Sequence, residues 1–239
     1  MRGWGRTLFE LIALVGGKGD EIEKSVTIEG KEHLDMALST GKGAVVSSGH
    51  VGNFPLLSYV LKKMGHNTSY IIRLPENEVM APWLKKQVES VGVKVIPASP
   101  RVECVRKTAK ALRAGELVVL QIDINTKRSS GVFVKFFGLY IPTFPGAAVF
   151  AQRTGAPLSP MFMVRDGPNR HKIIIKPPVY LPRVADRDVQ VYDAIADLSS
   201  TLEDIIKQYP EEWWWLHRRF RKAVKEPPPR PDKIPADSE

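Results

Sequence analysis

A histidine between two glycines, just past a short apolar run, is the residue of this chain best suited to moving a proton. His50 follows Ala44, Val45 and Val46 and stands in the stretch Ser47-Ser48-Gly49-His50-Val51-Gly52-Asn53. An imidazole titrates near neutral pH and can take a proton from a hydroxyl. Gly49 and Gly52 would let backbone and substrate approach closely. Position alone leaves a second role equally open, that of a structural histidine bonded to a nearby carbonyl. A second strand-like run ends at Asp123-Ile124-Asn125. In an open parallel sheet, functional groups collect where strands end and loops begin, so these two ends stand out.

Other chemistries find no support. Ser47 and Ser48 lack the Gly-x-Ser-x-Gly elbow of a serine hydrolase, and there is no Walker loop and no Gly-x-Gly-x-x-Gly stretch. His33, His66, His171 and His217 are scattered without metal-ligand spacing, so neither a metal nor another cofactor is expected. The single cysteine, Cys104, excludes an internal disulfide and reads as a core residue in a helix. The formal net charge of +9 favours an anionic partner. No nucleic-acid motif accompanies it.

The elements that must carry these residues follow from pattern. Short β-branched runs alternate with helical periodicity, the pattern of a single α/β domain with a mostly parallel central sheet flanked by helices. Strands are expected over 26–28, 43–48, 68–74, 93–96, 116–123, 132–137, 158–164 and 172–176. Helices are expected over 31–40, 53–64, 78–91, 101–114, 144–153 and 188–208. Near the start, the apolar run is far shorter than the roughly 20 residues of a membrane span. Trp4, Leu8, Phe9, Leu11, Ile12 and Val15 there suit a membrane interface or a packed amphipathic helix. Residues 226–239, with three consecutive prolines, read as a flexible tail.

Five blocks, in order, resemble the bacterial lipid A biosynthesis (late) acyltransferases, of the lysophospholipid acyltransferase-like superfamily. They are Ser48-Gly49-His50-Val51-Gly52-Asn53-Phe54, Arg73-Leu74-Pro75-Glu76-Asn77, and Gly131-Val132-Phe133-Val134-Lys135-Phe136-Phe137-Gly138. Arg153-Thr154-Gly155-Ala156-Pro157 and Pro210-Glu211-Glu212-Trp213-Trp214-Trp215-Leu216-His217-Arg218-Arg219-Phe220 complete the set. The resemblance implies an acyltransferase domain over residues 1–225, moving a fatty acyl group from an acyl carrier protein thioester to a hydroxyl of a lipid A precursor or related glycolipid. His50 would be the general base, and backbone amides between Gly49 and Asn53 would receive the oxyanion. The location implied is the cytoplasmic face of the bacterial inner membrane, held peripherally or by an anchor absent from this sequence.

Two positions depart from the family pattern. The acid expected five residues after the histidine is Pro55, and the stretch before Gly92, Gln87 to Val91, lacks the expected arginine. Either another carboxylate orients His50, with Asp123 the best placed, or activity is altered or lost. The readings beside glycolipid acylation are acylation of a lysophospholipid or other lipid, and a silent lipid-binding protein.

The remaining assignments are to binding. Gly49, Gly52 and Asn53 would line the substrate, Arg73 and Arg128 would grip a phosphate, and Phe136 and Phe137 would meet an acyl chain or form sheet core. Trp213, Trp214 and Trp215 beside Arg218 and Arg219 suit an anionic membrane surface or a plain packed C-terminal segment, with at least one tryptophan buried and the arginines facing phosphate. The basic face of Arg101, Arg106, Lys107, Lys110 and Arg113 is either simply solvated or docks the acidic carrier protein.

Overall fold

The alternation of β-branched runs and helical periodicity is realised in full order along the chain. The elements are α1 (Arg2–Ala13), a π-helical turn (Leu14–Lys18), α2 (Gly19–Lys24), β1 (Val26–Glu29), α3 (Lys31–Leu38), β2 (Ala44–Ser48) and α4 (Phe54–Lys63). Next come β3 (Thr68–Ile72), α5 (Met80–Ser90), β4 (Lys94–Pro97), α6 (Arg101–Arg113), β5 (Leu117–Gln121), β6 (Val132–Phe136) and β7 (Leu139–Thr143). The series ends with α7 (Gly146–Thr154), β8 (Leu158–Arg165), β9 (His171–Ile175) and α8 (Arg187–Gln208). This computed structural model describes residues 2–182, 184–226 and 228, with side chains from Gly5 onward, so the expected tail lies outside the described residues except for Glu226 and Pro228.

The strands form a seven-stranded sheet in the order β1-β9-β8-β2-β5-β3-β4 and a separate β6-β7 hairpin. Every pairing in the large sheet is parallel except β8 with β9. β2 is buried along its whole length, and β5 along all but its last residue. That burial on both faces explains why these strands read as continuous apolar runs and not as alternations. On one face, Val45, Val118 and Leu120 pack with Leu112 of α6, Ala147 and Ala151 of α7, and Ile195 and Leu202 of α8. On the other, Ala44, Val46, Leu117 and Val119 pack with Leu34 of α3 and with Leu56, Leu57 and Leu61 of α4. Cys104 is buried in the first of these cores.

The expected strand over 132–137 stops at Phe136, because Phe137 turns with φ +48°. Its backbone N–H donates to Glu203 Oε2 at 2.6 Å, which anchors the turn to α8. The partner strand β7 was not expected. It pairs antiparallel with β6, from Val132 opposite Thr143 to Phe136 opposite Leu139.

α1 divides its apolar residues. Leu14, in the π-helical turn that continues it, is buried, and Leu11 is half-buried against the same core. Leu8, Ile12 and Val15 are exposed, and Phe9 is 74% exposed. No described helix is long and apolar enough to cross a membrane.

Candidate active site

The parallel pairing of β2 and β5, with Ser48 opposite Gln121, brings the two strand ends together at the same sheet edge. His50 leaves β2 and Asp123 leaves β5. Their side chains meet, with His50 Nδ1 2.7 Å from Asp123 Oδ1. Asp123 Oδ2 accepts the backbone N–H of His50 at 2.9 Å and the indole N–H of Trp213 at 2.9 Å. Asp123 is 2% exposed. Burial alone would push its carboxyl up. The charge of the His50 ring and the bonds from His50 and Trp213 outweigh burial and hold it at about 2.

A carboxylate at that value is ionised at neutral pH and can only accept hydrogen bonds. The proton between carboxylate and imidazole therefore sits on His50 Nδ1, and Nε2 carries the lone pair whenever the ring is neutral. Phe54 meets the imidazole edge-on at 4.6 Å between centroids, and Trp214 lies tilted at 5.3 Å. These contacts fix the ring plane. The arrangement can abstract a proton from a hydroxyl and return it to a leaving group.

Pro55 has a local reason. It lies in the first turn of α4, where a missing N–H breaks no helical bond and the fixed φ suits the helix. The carboxylate absent there is supplied by Asp123, from the neighbouring strand.

The glycines serve the chain's own packing. A Cβ on Gly49 would lie 2.6 Å from Leu202 Cδ1 and 3.5 Å from Asp123 Oδ2. Gly52 has φ +57°, and a Cβ there would lie 2.1 Å from the Met163 carbonyl oxygen. Asn53 is fully buried and donates from Nδ2 to Glu10 Oε2 at 2.8 Å. Gly49 and Asn53 are buried within the loop, and Gly52 is half-buried against β8. Two of the amides expected to receive an oxyanion are committed elsewhere, the His50 N–H to Asp123 and the Gly52 N–H to the Glu212 carbonyl at 2.9 Å.

The terminal block wraps this loop. Val51 bridges Trp213, and the Trp214 N–H donates to the His50 carbonyl at 3.0 Å. Trp213 is buried as expected of one tryptophan, while Trp215 is exposed. Arg219 corrects its expectation. It is 2% exposed, and its guanidinium donates to the Ile124 carbonyl at 2.8 Å and to Thr143 Oγ1 at 2.6 Å instead of facing phosphate. Burial lowers this guanidinium to about 10, against the opposing pull of Asp123. Arg219 thus clasps the segment after Asp123 to β7. His217 joins in, its Nε2 accepting the Asn125 N–H at 3.1 Å, and burial lowers its affinity for a proton.

Phe136 is buried against Phe137 at 4.9 Å and Trp213 at 5.9 Å, so it supports the indole that holds Asp123 and is core. Phe137 is half-buried in the same cluster, under Lys207. Arg73 is exposed just past β3, two strands from His50 on the same sheet edge. Arg128 and Arg218 are exposed beside the terminal block, where Arg128 reaches the Lys222 carbonyl at 3.5 Å. Of the basic residues on α6, Arg106 and Lys107 pair with Glu103. Among the described residues, no three His, Cys, Asp or Glu side chains are grouped to hold a metal ion.

The roles of Trp213 in holding Asp123 and of Glu10 in holding Asn53 were not visible from sequence. Each depends on which side chain a distant segment presents, and neither leaves a local pattern.

Comparison with known proteins identifies what the chain resembles. Residues 1–222 match the family profile of bacterial lipid A biosynthesis acyltransferases. A phosphatidylinositol mannoside acyltransferase of Mycobacterium tuberculosis is 33% identical over 138 residues, which is 56% of this chain and 42% of that protein. The lipid A biosynthesis lauroyltransferase of Escherichia coli is 32% identical over 130 residues, covering 53% of this chain and 39% of that protein. The chain thus matches less than half the length of either relative. A 1-acyl-sn-glycerophosphate acyltransferase from Thermotoga maritima superposes over 88% of this chain and 89% of its own, with a TM-score of 0.49 and 12% identity.

Proposed function

The chain belongs to the bacterial lipid A biosynthesis acyltransferase family, and on that premise we propose that it transfers a fatty acyl group from an acyl carrier protein thioester to a hydroxyl of a lipid-linked sugar at a membrane surface. The observation that carries the reading is the contact of His50 Nδ1 with the ionised Asp123 at 2.7 Å. His50 Nε2 takes the proton of the acceptor hydroxyl, and the oxygen attacks the thioester carbonyl. The tetrahedral intermediate collapses as the C–S bond breaks, and the leaving thiolate takes the proton back from His50. Asp123 holds the ring in the productive tautomer and stabilises the imidazolium that forms in between.

The acceptor class draws on the relatives, one named for phosphatidylinositol mannoside and one for lipid A. A membrane setting is supported by the exposed apolar residues around the catalytic edge. Ile124 follows Asp123, Leu216 and Trp215 follow the terminal bridge, and α5 opens with exposed Met80 and Trp83. Exposed Arg73, Arg128 and Arg218 stand beside them, which suits the anionic surface of the inner membrane's cytoplasmic face.

The test is transfer of labelled acyl groups from acyl carrier protein to a lipid A precursor and to phosphatidylinositol mannoside, by wild type and His50→Ala. Transfer by wild type with a loss of roughly 100-fold or more in the variant supports the assignment. Equal rates in the two proteins overturn the role of His50. An inert wild type that still binds lipid favours a silent binding protein.

A further inference from the structure

The loop that carries His50 is tied to α1 through a buried ring of charged side chains that the transfer chemistry leaves unused. Glu10 stands at the centre of the tie. Its Oε2 accepts the Asn53 side-chain N–H at 2.8 Å and Arg165 Nη2 at 2.9 Å, and its Oε1 lies 3.5 Å from His171 Nε2. Arg165 continues the ring, donating from Nη1 to Glu212 Oε2 at 2.8 Å and from Nη2 to Thr7 Oγ1 at 2.8 Å. Both remaining paths return to the loop. The Glu212 carbonyl accepts the Gly52 N–H at 2.9 Å, and the Thr7 hydroxyl reaches the Gly52 carbonyl at 3.5 Å.

Three features make this more than a fastening for a terminal helix. First, beside the ion pairs that tie Glu10 to Arg165 at the end of β8 and His171 at the start of β9, the ring reaches Gly52 and Asn53, two and three residues from the imidazole. Second, the Arg165 and Glu212 side chains are nearly buried, at 7% and 10% exposure, so the links are stiff and poorly screened by solvent. Third, the same short helix turns Leu8, Phe9 and Ile12 outward to solvent. The inner face of α1 therefore holds the catalytic loop, while its outer face offers apolar area to a lipid surface.

We infer that Glu10 is a positioning residue for the His50 loop, and that α1 is the element through which contact with a lipid surface reaches the reacting imidazole. This rests on the acyl-transfer reading for its kinetic consequence and on geometry alone for its structural one. Glu10 touches no reacting atom and acts through Asn53 and Gly52. An α1 seated against a bilayer keeps Glu10 engaged, and the loop then holds His50 in line. With α1 displaced, Asn53 loses its acceptor and Arg165 keeps a single carboxylate.

The experiment compares wild type, Glu10→Gln and Glu10→Ala by two readouts. The first is amide hydrogen exchange at residues 50–54, with and without phosphatidylglycerol vesicles. The second is kcat and the donor KM for transfer from lauroyl-acyl carrier protein. Glutamine keeps an acceptor for Asn53 and loses the charge facing Arg165, so the variants should rank in order. We expect kcat to fall severalfold in Glu10→Gln and at least tenfold in Glu10→Ala, with the donor KM unchanged. Vesicles should slow loop exchange in wild type and leave it unchanged in Glu10→Ala. Loop exchange in Glu10→Ala as slow as in wild type without vesicles, an equal slowing of both proteins by vesicles, or an equal fall in kcat for both variants tracking lost thermal stability, overturns the inference. If His50→Ala retains full rate or wild type transfers nothing, the acyl-transfer reading has failed, and the exchange data still decide whether Glu10 holds the loop.

Discussion

Asp123 is a carboxylate asked to remain ionised where water hardly reaches, and three donors make that state stable. Replacing it by asparagine keeps the shape and removes the charge, and an amide nitrogen facing His50 Nδ1 favours the wrong tautomer. Asp123→Asn should lower kcat by roughly 10²- to 10⁴-fold with the loop still folded, measured by steady-state transfer kinetics. The carboxyl sits at about 2 in the folded chain against 3.8 for a free side chain. Because the folded value is depressed, its contribution to stability is complete above pH about 4 and is lost as pH falls toward about 2. Urea unfolding compared at pH about 5 and about 3 should therefore show a smaller acid penalty in Asp123→Asn than in wild type. Trp213→Phe keeps a ring in the aromatic cluster and removes one donor, which should cost about 1 kcal/mol in the same unfolding experiment. His50 and Asp123 were readable from sequence because each ends a buried apolar run. Arg219 was not, because a cation belongs in the interior only where distant segments supply acceptors. Its acceptors, Ile124 and Thr143, come from segments about 95 and 76 positions away.

Between elements, the decisive contact is the one joining the loop after β2 to β8. Gly52→Ala would force a side chain into the left-handed region and against the Met163 carbonyl oxygen 2.1 Å away. The expected result is a loss of more than about 1 kcal/mol in stability, together with displacement of His50 and a fall in kcat. Arg219→Ala would remove the donor to the Ile124 and Pro142 carbonyls and to Thr143 Oγ1 and release the segment after Asp123 from β7, with an expected loss of roughly 1–3 kcal/mol by urea unfolding. Most strands were legible because parallel, doubly covered strands are continuous in apolar residues. β7 was hidden because Tyr140 and Pro142 interrupt its pattern and its pairing depends on the turn at Phe137. Helix starts shifted by up to two residues, as at Gly146, since caps depend on contacts outside the helix.

At the edge of the sheet that carries His50 and Asp123 lie exposed Ile124, Trp215 and Leu216 and exposed Arg73, Arg128 and Arg218, and the chain carries a net charge of +9. Binding to phosphatidylglycerol vesicles should therefore exceed binding to neutral phosphatidylcholine vesicles and weaken as salt rises. Replacing Leu8, Phe9 and Ile12 together by serine should reduce co-sedimentation with both, because the apolar contribution does not depend on lipid charge. The overall α/β plan was open to pattern reading, whereas the convergence of separate surfaces on one edge exists only after folding. The wrapping of the site by the terminal block carries a consequence for the newborn chain. Trp213 follows Asp123 by 90 residues, which at about 5–20 residues per second is a delay of roughly 5–20 seconds during synthesis. A nascent chain thus exposes its histidine and aspartate well before the indole and the buried guanidinium are made to clasp them, so the pair is held in place only after the terminal block has emerged.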